Sequence, residues 1–166
     1  LPLVTENGSG LSTAESYVSV ASADTRLAAL GLTNWATLST TEKEQALRRA
    51  TARMEQAYRP RWKGDRRTST QALAWPRTGV VIDGYIMVDS DVVPTDIANA
   101  CAELAFKAAA GDLNPDLDRA VIREKVGPIE TEYSSASPQS VRYRATDMAL
   151  SPYLYGSSAM ATLVRA

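Results

Sequence analysis

The segment from Ser39 to Pro60 constrains the fold more than any other part of the chain. Ser39 and Glu42 stand three residues apart, the spacing at which a hydroxyl and a carboxylate satisfy each other's backbone donors at a helix start. Behind them Leu47, Ala50, Met54, Ala57 and Tyr58 recur at i, i+3, i+4 spacing. That pattern reads as an amphipathic helix from about Thr40 to Tyr58 with one buried stripe. Pro60 ends it, because proline lacks the backbone donor and restricts Arg59 before it. Arg48, Arg49, Arg53 and Glu55 fall mainly on other faces.

Three more helices are expected around this one. The first covers about residues 21–30, with Ser19 or Ser22 as its cap and Gly31 just past its end; Asn34 and Trp35 then begin one helical turn. The next runs from about Thr95 to Ala110 between Pro94 and Gly111, with Ile97, Cys101, Leu104, Ala105 and Ala108 turned inward. The last covers about residues 145–154. Residues 80–88 alternate around Asp83-Gly84, which fits a short hairpin or an irregular connection. Residues 122–126 and 129–133 read as two strands meeting at Gly127-Pro128. Residues 61–70 read as an exposed loop or extended arm, and residues 72–77 dock back through Leu73 and Trp75. The expected fold is mainly α, a small bundle of about four helices with a short β-hairpin and an extended arm and tail. One domain spans residues 1–155 with the arm inserted at about 59–93, and residues 156–166 form a partner-binding tail.

A chain of 166 residues, 45% hydrophobic and 22% charged, builds one domain with a core. Much of the apolar fraction is alanine and there is a single Phe. Alanine buries little area, so the core is expected to be thin and completed by neighbouring subunits. Cys101 is the sole cysteine, which rules out an intrachain disulfide, and its apolar helical setting points to a buried thiol. No apolar run reaches the roughly 18 residues of a membrane span, and no charged-then-apolar leader pattern opens the chain. The expected place of action is the cytosol, or a particle assembled there.

Charge is distributed unevenly. Between Arg48 and Arg77 nine basic residues meet two acidic ones, a local +7 in a chain whose formal total is −1, so the remainder sums to −8. Such polarity calls for a negative surface beside the basic one, either nucleic acid or the acidic part of another subunit. Guanidinium groups contact phosphates in the first case, with Trp62 offering a stacking surface. In the second they pair with an adjacent identical copy in head-to-tail association, which closes into a ring if the rotation permits. A solvated helix face with weak surface ion pairs is the plain alternative.

Catalysis finds no support. The chain has no histidine, which removes the commonest general base and metal ligand. One cysteine cannot make a thiolate zinc site alone. Phosphate-cradling glycine loops and a nucleophile elbow are missing. Asp89 with Asp91, and Asp112 with Asp116 and Asp118, read as solvated loop carboxylates rather than a metal-dependent nuclease site. The expectation is a protein with no enzymatic activity, no cofactor and no metal.

Several segments carry a resemblance when taken in order: "VTENGSGLSTAESYVSVASAD", "TEKEQALRRATARME", "YRPRWKG", "QALAWPRTGV", "VPTDIANACAELAFKAAAGDL" and "EKVGPIETEY". Over roughly residues 3–165 the chain resembles a phage protein family often labelled "DnaT-like", whose members are similar to head–tail connector (adaptor, or head-completion) proteins of long-tailed phages. That resemblance implies a virion neck subunit, assembled in the host cytoplasm. It would form a ring, commonly of about twelve copies, between the portal protein and a downstream neck or tail protein, extending the channel through which DNA passes non-specifically. Arg59, Arg61, Trp62, Lys63, Arg66 and Arg67 would then lie at the subunit interface or face the channel, and Leu163, Val164 and Arg165 would bind the portal. The label itself implies the alternative, a single-stranded-DNA-binding replication accessory protein that uses the same basic segment.

Overall fold

The capping box at Ser39 forms as the spacing requires. In the computed structural model the Glu42 backbone N–H donates to the Ser39 hydroxyl at 3.3 Å, and the Ser39 N–H donates to the Glu42 carboxylate at 2.8 Å. Helix α2 follows, Thr40–Tyr58. The structure describes residues 2–115 and 141–156, and the backbone of two strands at 123–126 and 129–132. The other helices are α1, Val20–Ala29, capped by Ser19; α3, Thr95–Ala110; and α4, Arg144–Leu150. Short 3₁₀ turns cover Thr33–Trp35, Arg59–Arg61 and Ser151–Tyr153. The last helix stops earlier than the sequence reading, because Pro152 removes a donor and tightens the chain into the final turn.

Helix α3 is the centre of the bundle, packing against α2 most extensively and against α1 and α4 as well. Small side chains allow the close approach. Ala46 and Ala50 on α2 and Ala102, Ala105 and Ala108 on α3 are fully or almost fully buried. Thr51 and Cys101 meet across the pair, Oγ1 to Sγ 3.3 Å, and burial holds the thiol in its neutral form. The inward stripe expected on α3 is buried throughout. On α2 the stripe is Ala46, Leu47, Ala50, Thr51, Met54 and Tyr58, with Ala57 at its half-buried edge.

The β structure consists of antiparallel pairs: β1 (Asp65–Arg66) with β2 (Arg77–Thr78), β3 (Val81–Ile82) with β4 (Ile86–Met87), and β5 (Arg123–Val126) with β6 (Ile129–Glu132). The hairpin around Asp83-Gly84 is the β3–β4 pair, and both turn residues take positive φ, 51° and 81°.

Residues 59–93 lie along the bundle instead of standing off it. Trp62, Leu73, Ala74, Trp75, Pro76, Arg77 and Val80 are all buried. Aromatic stacking explains the docking. Tyr58, Trp62, Trp75 and Tyr153 form a continuous row with centroids 5.7 to 5.9 Å apart, two of the contacts edge to face. With Trp35 also buried, all three tryptophans serve the core, which is therefore less thin than its alanine content implies.

Candidate nucleic-acid interface

The basic segment divides into cations that hold the fold together and cations that face solvent. Arg77 belongs to the first group. It is 8% exposed, and its guanidinium donates to the carbonyls of Lys63 (2.7 Å), Ala74 (3.2 Å), Trp62 (3.5 Å) and Gly64. A guanidinium offers five donors in a fixed fork, and here the fork ties the two ends of the 62–77 excursion together. Lys63 reaches the carbonyls of Pro152 (2.7 Å) and Val81 (3.3 Å). Arg66 donates to the Gln71 carbonyl, and Arg67 to the Gly8 carbonyl at 2.5 Å.

The remaining cations follow from helix periodicity. Arg49, Arg53, Gln56 and Arg59 repeat at steps of four, three and three along α2, on the side away from the buried stripe. Ten residues separate Arg49 from Arg59, about 15 Å along the axis. Arg61 extends the row past the helix end. Arg49, Arg59 and Arg61 are exposed, while Arg53 is half-buried and donates to the Val141 carbonyl at 3.3 Å. Beside Arg49 and Arg53 a cleft of about 270 Å³ opens between α2 and the loop after α3, lined also by Gln56, Asp112 and Asn114. The Asp112 carboxylate accepts the Asn114 N–H at 2.9 Å.

Carboxylates cluster at the other end of α2. Arg48 pairs with Glu15 at 2.9 Å and with Glu44 at 3.7 Å, and its hydrogen bond holds the Glu15 carboxyl below its usual range. Arg59 approaches Glu55 only to 4.0 Å. Among the described residues the other seven basic groups of the segment have no carboxylate partner. Bonds to neutral carbonyls leave a cation's charge in place, so the α2 face and the turn beyond it keep a net positive field.

At the end of that face two chain segments meet. An isolated antiparallel bridge pairs Trp62 with Leu154, flanked by bonds from the Tyr155 N–H to the Arg61 carbonyl (2.8 Å) and from the Lys63 N–H to the Tyr153 carbonyl (2.9 Å). Trp62 and Leu154 are buried, whereas Arg61 and Tyr155, opposite each other one position along, are exposed.

These positions revise the sequence reading. Trp62, expected to be open to bases or to a neighbour, is 3% exposed inside the aromatic row, so stacking on a base requires opening the core. Of the expected interface cations, Arg59 and Arg61 face outward, Lys63 and Arg66 are half-buried and bonded to the chain's own carbonyls, and Arg67 is exposed while donating to the Gly8 carbonyl. Leu163, Val164 and Arg165, expected to bind a portal, lie outside the described residues. Arg49 and Arg53 were legible as the face opposite the apolar stripe but were not among the expected interface cations. The run Tyr153-Leu154-Tyr155 reads in the sequence as core packing; Tyr153 and Leu154 are buried, whereas Tyr155 is exposed, and its neighbour Arg61 lies far away in sequence.

Comparison with known families gives one result. A family model described as "Putative DnaT-like ssDNA binding protein" matches residues 1–166. No curated protein and no solved structure matches the chain. The match overturns the head–tail connector identification and, with it, the expected ring of about twelve copies, the portal and downstream neck partners, and the DNA channel. It favours the alternative that the label implied.

Proposed function

The chain belongs to this DnaT-like family, and from that premise we propose that it binds single-stranded DNA along the outer face of α2 and the turn that follows, as an accessory to replication. One observation carries the reading: Arg49, Arg53 and Arg61 have no carboxylate partner among the described residues, and Arg59, which meets Glu55 only at 4.0 Å, continues their row. A row about 15 Å long spans about four stacked nucleotides at 3.4 Å each. Phosphates there would meet Arg49 and Arg53 at the cleft, where Gln56 and Asn114 add neutral donors and the two guanidinium groups outweigh the single carboxylate of Asp112. Nothing in this surface reads base edges, so the binding is independent of sequence. The activity is association alone, with no chemical step.

Oligonucleotide affinity measured across a salt series tests this. Neutralising four phosphates on a single strand gives a slope of log K against log salt of about −3, at roughly −0.7 per phosphate. Arg49→Ala combined with Arg61→Ala, both exposed and unpaired among the described residues, should bring the slope up by about 1.4 with the fold intact. Absence of oligonucleotide binding at low salt, or an unchanged slope in the double variant, would overturn the proposal.

A further inference from the structure

We infer that Tyr155 is a base-stacking platform which, with Arg61 beside it, makes the α2 face prefer single strands to duplex. This deepens the proposed function and rests on it. Tyr155 is 59% exposed. Other tyrosines have their hydroxyls committed: Tyr17 to Glu55, Tyr58 to Asp147 (2.5 Å), Tyr143 to the Leu113 carbonyl (2.9 Å) and Tyr153 to Asp96 (2.9 Å). Those rings are buried or half-buried, and so are the three tryptophans.

The backbone under Tyr155 is fixed by three independent bonds. Its own N–H reaches the Arg61 carbonyl, the Lys63 N–H reaches the Tyr153 carbonyl, and Lys63 Nζ grips the Pro152 carbonyl. An aromatic held in this way loses little freedom when a base covers it. Directly across the bridge Arg61 is exposed, so its guanidinium can take the phosphate of the stacked nucleotide. Duplex conceals base faces within its own stack, so a platform of this kind rewards an unpaired strand only. Among the described residues Tyr85 is the other highly exposed aromatic, at 82%, but it sits on the β3–β4 hairpin between Asp83 and Asp89, whose charges repel phosphate.

The test compares Tyr155→Ala, Tyr155→Phe and Tyr85→Ala on a single-stranded oligonucleotide and on a duplex of the same sequence, each across a salt series. Tyr155→Ala should weaken single-strand binding by about 5- to 150-fold, the range for losing one base–aromatic stack. Its duplex affinity and salt slope should stay as in the wild type, Tyr155→Phe should restore single-strand binding, and Tyr85→Ala should change nothing. Wild-type single-strand affinity in Tyr155→Ala, equal losses on both DNAs, or no rescue by Phe would overturn the inference. If the Arg49 and Arg61 double variant makes the slope less negative while Tyr155→Ala is silent, the inference alone fails. A wild-type protein that binds neither DNA brings down the proposed function with it.

Discussion

The Tyr17 hydroxyl donates to a Glu55 carboxylate oxygen that also accepts the Ala74 N–H at 3.0 Å. Three distant parts of the chain meet at that oxygen: the lead-in to α1, the last turn of α2 and the return of the 62–77 excursion. The Tyr17 oxygen in turn lies 3.1 Å and 3.4 Å from the N–H groups of Ala74 and Trp75. Tyr17→Phe removes a buried donor and leaves the Trp75 N–H without an acceptor. It should cost about 1–3 kcal/mol, read as a lower urea midpoint at an unchanged m-value. A wild-type midpoint would show that this junction contributes nothing.

Three tyrosines give the fold an alkaline limit. Burial first, and then a carboxylate neighbour, pushes up the ionisation of Tyr17 (beside Glu55), of Tyr58 (beside Asp147) and of Tyr153 (beside Asp96), the last to about 12. The ordinary value is 10.0. A folded value above the unfolded one means that the neutral hydroxyl is favoured in the fold. The associated stability is fully present below pH about 10 and is lost as pH rises toward the folded values. Tyrosinate absorbance and circular dichroism followed together should show delayed ionisation coinciding with loss of helix. Early ionisation with helix intact would contradict the assignment.

Arg77 and Arg49 should separate stability from binding. Arg77→Lys replaces a four-carbonyl fork with a single ammonium that cannot reach the same acceptors, and should destabilise by about 2–4 kcal/mol. Oligonucleotide affinity measured where the variant is still folded should remain near wild type. Arg49→Ala should behave in the opposite way, with an unmoved melting temperature and weaker binding.

Tryptophan emission offers a direct check on the aromatic row. Trp35, Trp62 and Trp75 are 2%, 3% and 0% exposed. A bound strand should therefore leave their emission almost unchanged, because no indole face is available for stacking. Strong quenching on titration with oligonucleotide would mean that Trp62 is reached after all and that the row opens.

Much of this was legible because it depends on short-range rules. Ser39 with Glu42, Pro60, Pro94 and Gly111 mark helix ends through backbone donors and acceptors a few residues away, and the helices lie where those residues put them. Cys101 sits in the α3 stripe and is buried accordingly. The cations were harder. Arg61 and Arg77 look alike in the sequence, both basic and both close to a tryptophan. One faces solvent, whereas the other is closed in by four carbonyl groups drawn from residues 62–64 and 74.

The sequence by itself determined where the helices begin and end and which of their faces turn inward, since capping, proline and 3.6-residue periodicity act within a turn or two. It also determined that positive charge would be concentrated in one stretch. Only the tertiary structure decided which of those charges remain available, because a cation's fate depends on whether distant carbonyls such as those of Pro152 and Gly8 close over it. It alone placed Tyr155 opposite Arg61, since a bridge between residues more than ninety positions apart leaves no trace in local spacing.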